Sequence, residues 1–159
     1  MTRRTCLILT AIIFAVFSGD AVYAQSSRKS VSGAEVTGTF HQAFTGKFRG
    51  SYNEIKILAL GRGKLKVAFD LLYPYIDGSG EKSANMGQLD GTATITGDTA
   101  TLTTSEFGPC TITIKFVRPG TIRVAQEGDD SACGFGHNVS ADGTYKKVTS
   151  AKPKFKRSE

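Results

Sequence analysis

The chain lacks the residue patterns on which most catalytic and metal sites depend. It has only two histidines, His41 and His137, and they lie in different segments. It has no GxSxG elbow for a serine nucleophile, no CxxC pair, and no spacing typical of a zinc site or an EF-hand. The sequence therefore predicts a protein that is not an enzyme and that uses no cofactor and no metal.

Two minor chemical alternatives stay open, together with an enzyme of unknown class as a distant one. The first is hydrolysis by a pair of carboxylates. The second is a cation held by carboxylates and an imidazole in one loop. The residues concerned are Glu54, Asp70, Glu127, Asp129 and Asp130 for the first, and Glu127, Asp129, Asp130 and His137 for the second.

Long apolar runs are absent after the first 24 residues. Arg3 and Arg4 precede an apolar run at residues 7–17, and Val22-Tyr23-Ala24 is typical of a signal peptidase site. We predict a signal peptide at 1–24, cleaved after Ala24 on the general secretory route. No later run is long enough to span a bilayer, so the mature protein is predicted to be periplasmic or secreted, without a transmembrane segment.

The rest of the chain is predicted to form one domain with two flanking segments. Residues 25–34 are Ser-rich and basic and are predicted to be a disordered leader, residues 35–148 form the domain, and residues 149–159 form a basic disordered tail. Because cleavage removes Arg3, Arg4 and Asp20, the net charge falls from +6 to +5.

The basic side chains are predicted to point outward from strands. This surface either binds an anionic envelope component weakly or only keeps the protein soluble. Nucleic-acid binding is not predicted, because no aromatic side chains are interleaved with these positions for base stacking. The residues are Lys56, Lys64, Lys66, Lys115 and Arg123.

The stretch from Leu89 to Gln126 predicts four consecutive antiparallel strands. Apolar side chains alternate with Thr, Lys or Arg along each of them, which is typical of a sheet that covers a core on one side only. Gly97-Asp98 and Pro119-Gly120 are turn sequences, and Gly97 at the first position predicts a type II′ hairpin.

The flanking segments predict four more strands. One covers Val36–Tyr52, where large side chains are spaced four residues apart. Strands at 54–60 and 64–73 form a hairpin, and a last strand at 143–148 is expected to pair with the first. Pro74 is predicted to end its strand and to begin a long loop that reaches Met86. We therefore predict an all-β fold, with about eight strands in a closed up-and-down barrel and a two-sheet sandwich as the alternative.

Cysteine is scarce. Cys110 and Cys133 are the two that remain in the mature chain, and an even pair in an exported protein predicts one disulfide. It would join the start of a central strand to a Gly-rich loop at 128–138.

Polar residues gather in the predicted loops and at strand ends, where binding residues tend to lie on a rigid scaffold. They are either simple turn residues or a binding surface at the barrel mouth. A lipocalin-like carrier of a small apolar ligand is the other binding hypothesis. The candidate binding residues are Tyr52, Asn53, Ser79, Gly80, Glu81, Asn85, His137 and Asn138.

The chain resembles small exported bacterial β-barrels that include the periplasmic lysozyme inhibitors. The resemblance lies in the signal peptide, the Cys110-Thr-Ile-Thr-Ile-Lys-Phe strand, the Cys133-Gly-Phe-Gly loop and the closing Gly143-Thr-Tyr-Lys-Lys strand. It implies a small barrel and a lysozyme as partner, with the Ser-Gly pair of Asp77–Glu81 entering the lysozyme's cleft. The aromatic residue that follows this pair in the family has no counterpart here.

Overall fold

The computed structural model describes residues 30–155 of the chain, and eight antiparallel strands close into one barrel. The predicted signal peptide and residues 25–29 and 156–159 lie outside the described residues. A one-turn helix, α1, precedes the first strand. The elements are α1 Gly33–Val36, β1 Gly38–Ala43, β2 Tyr52–Gly61, β3 Lys64–Ile76, β4 Lys82–Thr96, β5 Thr99–Thr104, β6 Cys110–Arg118, β7 Thr121–Glu127 and β8 Gly143–Thr149.

Each strand pairs with the next along the chain, and β8 pairs with β1 to close the barrel. Phe40 of β1 faces Lys147 of β8 in that closing pair. The prediction of an up-and-down barrel is thus confirmed, and so is the predicted pairing of the first and last strands. The sandwich alternative is wrong, because a single sheet contains all eight strands.

The barrel interior holds a continuous apolar core. Alternate residues of the strands point inward and are almost fully buried, as the alternation in the sequence predicts. Among the largest are Phe40, Phe116 and Tyr145. Burial raises the pKa of the Tyr145 hydroxyl, which donates a hydrogen bond to the Ala141 carbonyl at 3.0 Å.

The hairpin turns follow the predicted turn sequences. Gly97 adopts φ 64°, the value that the first position of a type II′ turn requires, and Thr96 pairs with Thr99 across the turn. Arg62 and Gly63 both have positive φ and join β2 to β3. These turns all lie at one end of the barrel.

The prediction of a long loop from Pro74 to Met86 is wrong. β3 continues to Ile76 and β4 begins at Lys82, so only residues 77–81 lie outside the two strands. Pro74 does not end β3, because the β2–β3 pairs stop at Asp70 and the proline lies where β2 no longer runs alongside. A proline is tolerated at such an edge, where its missing N–H removes no ladder hydrogen bond.

The prediction of one strand across Val36–Tyr52 is also wrong in extent. Only residues 38–43 form β1, and a 3₁₀ turn at Gly46–Phe48 leads into β2. Val36 instead ends α1, whose N-cap Ser32 accepts a hydrogen bond from the Glu35 amide at 3.1 Å. α1 is joined to β8 by Lys147, whose Nζ donates to the Thr37 carbonyl at 2.8 Å.

Candidate functional site

All candidate binding residues lie at one end of the barrel. The connections β1–β2, β3–β4, β5–β6 and β7–β8 share this end, because consecutive antiparallel strands reverse direction at each turn. We name it the loop end. Its main feature is the hairpin of β3 and β4, which extends beyond the neighbouring strands.

This extension, residues 72–86, is named the finger. Five residue pairs, from Leu72–Met86 to Ile76–Lys82, follow the last barrel positions of the hairpin. The last pair between β2 and β3 is Glu54–Asp70, so β2 does not accompany the finger. At a rise of about 3.3 Å per residue, the finger projects about 17 Å before its terminal turn.

The tip of the finger is held in one conformation by its own hydrogen bonds. Asp77 Oδ1 accepts from the Ser79 hydroxyl at 2.6 Å, from the Ser79 amide at 2.9 Å and from the Glu81 amide at 3.0 Å. The Ser79 hydroxyl, assisted by the two amides, holds the pKa of Asp77 below its usual value. Gly80 has φ 87°, a conformation that favours glycine. Ser79, Gly80 and Glu81 are exposed on this ordered turn.

The base of the finger is supported by the loop between β7 and β8, residues 128–142, which we name the Cys133 loop. Cys133 is within disulfide-bonding distance of Cys110 at the start of β6, so the predicted pairing is confirmed. The Gly136 amide donates to the Met86 carbonyl at 2.9 Å, and Asn85 Nδ2 donates to the His137 carbonyl at 2.7 Å. The structure therefore brings Asn85 and His137 together, as a single binding surface that includes both residues would require.

Close packing fixes the same contact. Phe135 is buried against Gly87, where an added Cβ would lie 2.7 Å from the Phe135 ring. Only glycine permits this approach of loop to strand. His137 itself is 83% exposed at the side chain, and Asn138 adopts φ 63° beside it. Both are accessible at the loop end.

The acidic residues of the Cys133 loop organise the loop itself. Asp129 Oδ1 accepts from the Ala132 amide at 2.7 Å and from the Ser131 hydroxyl at 2.9 Å, and these bonds lower the pKa of Asp129. An Asp130 carboxylate oxygen accepts from the Asn138 amide. Within residues 30–155, no three metal-ligating side chains are grouped as a cation site.

Tyr52 and Asn53 at the start of β2 have different roles. Asn53 is 4% exposed, donates to Gln42 Oε1 at 3.2 Å, and accepts from the Leu72 amide at 2.7 Å. Asn53 therefore provides the acceptor for a backbone amide of β3 where the finger begins, and its buried side chain is not part of the exposed candidate surface. Tyr52 is exposed and stacks on His41, with ring centroids 3.8 Å apart.

A polar cluster on the outer barrel wall lies next to Tyr52. Glu54 accepts from His41 Nε2 and from Lys56 Nζ, each at 2.9 Å. Partial burial raises the pKa of Glu54, but the bonds from Lys56 and His41 outweigh it and keep that pKa below its usual value. A surface pocket of about 210 Å³ adjoins the cluster, and Phe155 of the C-terminal segment forms part of its wall.

The apolar residues on the outer face of the finger were not predicted from the sequence, which indicated a loop there. In the barrel part of β3, the inward residues are apolar and the outward ones are polar or small. Beyond Leu71 the alternation in β3 is lost, because the outward positions now carry apolar residues as well, while the inward positions carry Tyr73 and Tyr75. The outer face consists of Leu72, Pro74, Ile76, Ala84 and Met86, together with Lys82, which pairs with Ile76.

Comparisons of the chain with known protein families, with curated proteins and with solved structures found no match in any of the three. In residues 30–155, no helix has the length and apolar character needed to cross a bilayer.

Proposed function

We propose that this chain is a non-enzymatic exported binding protein, whose finger and neighbouring loops contact a macromolecular partner. The observation that carries the proposal is the extension of the β3–β4 ladder by five residue pairs, about 17 Å, beyond the pair Leu71–Gly87. Such an extension is not needed to close the barrel, which closes through the pairs between β1 and β8. A convex hairpin of this length suits a concave site on a partner.

The order of the finger supports the proposal. Its tip is fixed by the hydrogen bonds of Asp77, and its base is held by Asn53 on one side and by the Cys133 loop on the other. A binding element that is already ordered loses less conformational entropy on association. The finger is thus built to meet a partner without refolding.

The filled interior favours a surface binder over the carrier hypothesis. Phe40, Phe116 and Tyr145 are fully buried among the other apolar residues of the barrel. A lipocalin-like carrier needs an apolar cavity of several hundred Å³ inside the barrel. The pocket beside Glu54 lies on the outer wall and does not serve that purpose.

Export and the choice of partner come from the sequence. The pattern of residues 1–24 supports a signal peptide, and the resemblance to periplasmic inhibitors supports a lysozyme as one partner. An envelope component is the other partner class. Both would be met outside the cytoplasm.

A binding experiment with two matched variants tests the proposal. Immobilised mature protein is incubated with chicken-type, goose-type and invertebrate-type lysozymes, and with envelope extract of the source organism. We expect retention of one partner, weakened at least about tenfold by Ser79→Trp and unchanged by Thr103→Trp on the exposed wall of β5. Both variants should keep the parent's melting temperature. Equal retention by the parent and Ser79→Trp, or no retention at all, contradicts the proposal.

Lysis assays separate the two partner classes. Stoichiometric mature protein should slow bacterial lysis by at least one lysozyme type if a lysozyme is the partner. If all three types stay fully active, the inhibitor function is excluded and the envelope component remains.

A further inference from the structure

The chain continues past β8 as a segment that lies on the outer wall of the barrel. Residues 150–155 belong to no helix or strand, and we name them the strap. Their burial alternates, because Pro153 and Phe155 are half-buried while Lys152 and Lys154 are exposed. Such an alternation is typical of an extended segment that turns one side to a surface. The surface in question is the barrel wall of the same chain.

One row of paired residues leads from the start of the strap to its end. Thr149, the last residue of β8, pairs with Thr39 of β1. Thr39 pairs with Lys56 of β2, and Lys56 pairs with Ala68 of β3. Because neighbouring strands lie about 4.8 Å apart, this row spans about 14 Å. The six residues of the strap reach at most about 21 Å when fully extended, so they cross the row with little slack.

Phe155 anchors the far end of the strap on β3. The centroid of its ring lies 4.8 Å from Lys66 Nζ, and the ring forms part of the wall of the outer pocket, which Ala68 also lines. The small side chain of Ala68 lies between the longer ones of Lys66 and Asp70 on the outward side of β3. It therefore leaves a depression beside which the ring packs. The contact combines a cation–π attraction with the removal of apolar ring surface from water.

The charges of the wall permit a basic segment to lie on it. This part of the wall carries three carboxylates and two lysines, namely Glu54, Asp70, Asp90, Lys56 and Lys66. With Lys154 of the strap, the two signs are equal in number. The strap is thus neither repelled nor strongly attracted by the wall, so the contact of Phe155, and not charge, fixes its position.

The strap starts at the seam where the barrel closes. β1 and β8 share three residue pairs with a register shift between Thr39 and Phe40, whereas β1 and β2 share six pairs. A short, irregular ladder opens more easily than a longer regular one. Thr39 lies on the outward side, as its partner Lys56 does, yet it is only 8% exposed. This burial agrees with a segment that passes over the seam.

We propose that the strap is a clasp on the barrel seam. It ties β8 to β3, on the far side of β1 and β2, through the contact between Phe155 and Lys66. While this contact holds, β8 cannot separate from β1 without also drawing the strap off the wall. Release of Phe155 and opening of the β1–β8 pairs therefore share one opening equilibrium. This device acts independently of the finger and of any partner.

Tryptophan fluorescence tests whether the strap is docked in the full mature protein, since the chain has no tryptophan of its own. Phe155→Trp places the fluorophore in the strap, and Thr103→Trp places it on the exposed wall of β5 as the control. We expect acrylamide to quench the first at least about twofold less than the second. Adding Ala68→Arg to Phe155→Trp fills the depression and should remove this protection. Equal quenching of the two single variants, or protection that survives Ala68→Arg, overturns the proposal.

Hydrogen exchange measured by mass spectrometry tests the effect on the seam. Phe155→Ala should speed exchange in peptides from β8 about threefold to tenfold and leave peptides from β5 and β6 unchanged. Phe107→Ala is the matched control, because Phe107 is 68% exposed in the β5–β6 connection and should leave β8 unchanged. Lys66→Gln should act in the same direction as Phe155→Ala, and Lys66→Arg should preserve the parent's rates.

Three exchange results would contradict the clasp. Unchanged exchange in β8 of Phe155→Ala would show that the strap docks without holding the seam. An equal increase in all peptides would show that Phe155 supports the barrel as a whole. An equal increase in β8 of Phe107→Ala would show that the effect does not depend on the strap. Each of these results overturns the proposal, even if the tryptophan of Phe155→Trp is protected.

Discussion

The two halves of the β3–β4 hairpin share a ladder, but only the half in the barrel wall buries one of its faces. In the barrel wall, Val67 and Phe69 point into the core, and Lys66 and Asp70 point out. In the finger, Tyr73 and Tyr75 occupy the positions that continue the inward-facing side of β3, and Ile76 lies on the outer side. The wall has its pattern because folding requires it. Neither face of the finger is buried in a core, since Tyr73 is 42% and Ile76 is 40% exposed, so burial does not set the pattern there.

The largest predicted effect contrasts a core residue with a finger residue. Phe69→Ala should lower the free energy of unfolding by about 3–5 kcal/mol, because it leaves a cavity in the barrel. Ile76→Ala should lower it by less than about 1 kcal/mol, since its side chain is 40% exposed. Urea denaturation of both variants measures the difference. Similar losses would show that the finger belongs to the cooperative core.

Removal of the disulfide should have the next largest effect. The double variant Cys110→Ser, Cys133→Ser should lose about 3 kcal/mol, because the bond closes a chain segment between residues 23 apart in sequence. It should also speed hydrogen exchange at the Gly136 amide more than at Ile57 in the barrel wall. Unchanged exchange at Gly136 would mean that the disulfide does not support the finger.

Asn53 stands at the boundary between wall and finger. Asn53→Ala should cost about 1–3 kcal/mol, because the Leu72 amide loses its acceptor where β2 ends. Asn85→Ala is the matched control, since its hydrogen bond to the His137 carbonyl is exposed and should contribute less than about 1 kcal/mol. Thermal unfolding at equal pH compares the two. An equal loss would contradict a special role for the boundary.

The smallest effect concerns the outer wall at low pH. The pKa of Glu54 is lower in the folded protein than the ordinary value of 4.5, so its ion pairs stabilise the fold above that pH. This contribution is lost as pH falls through the lowered pKa. Glu54→Gln should therefore reduce the loss of stability below about pH 4.5, by less than about 1 kcal/mol because the pair is partly exposed.

The control for this experiment is Glu106→Gln, at an exposed position in the β5–β6 connection. Denaturation midpoints of the parent and both variants are compared at neutral and acidic pH. If both variants change the loss of stability at acidic pH equally, the hydrogen bonds from Lys56 and His41 to Glu54 do not account for that loss.

The sequence predicted the regular parts of the barrel because local and tertiary requirements agree there. In β5 and β6, alternation, turn residues and burial all specify the same register. The partner of Cys110 could be predicted because only two cysteines follow the predicted signal peptide. The finger was predicted to be a loop because Pro74 and the loss of alternation beyond Leu71 removed the signal expected of a strand. Asn53 was predicted to be an exposed binding residue. Its burial could not be predicted, because it depends on β1 and β3, which lie beside it only in the folded barrel.

The sequence by itself determined the number and order of the strands, the tight turns and the pairing of the two cysteines, because alternation and turn chemistry act between near neighbours in the chain. The tertiary structure alone decided where β2 stops beside β3, and hence that residues 72–86 project as a finger. It also decided that the Cys133 loop supports Met86 and Gly87, across about 50 residues of chain. Contacts of that separation depend on the closed barrel, which brings β4 and the loop after β7 to the same end.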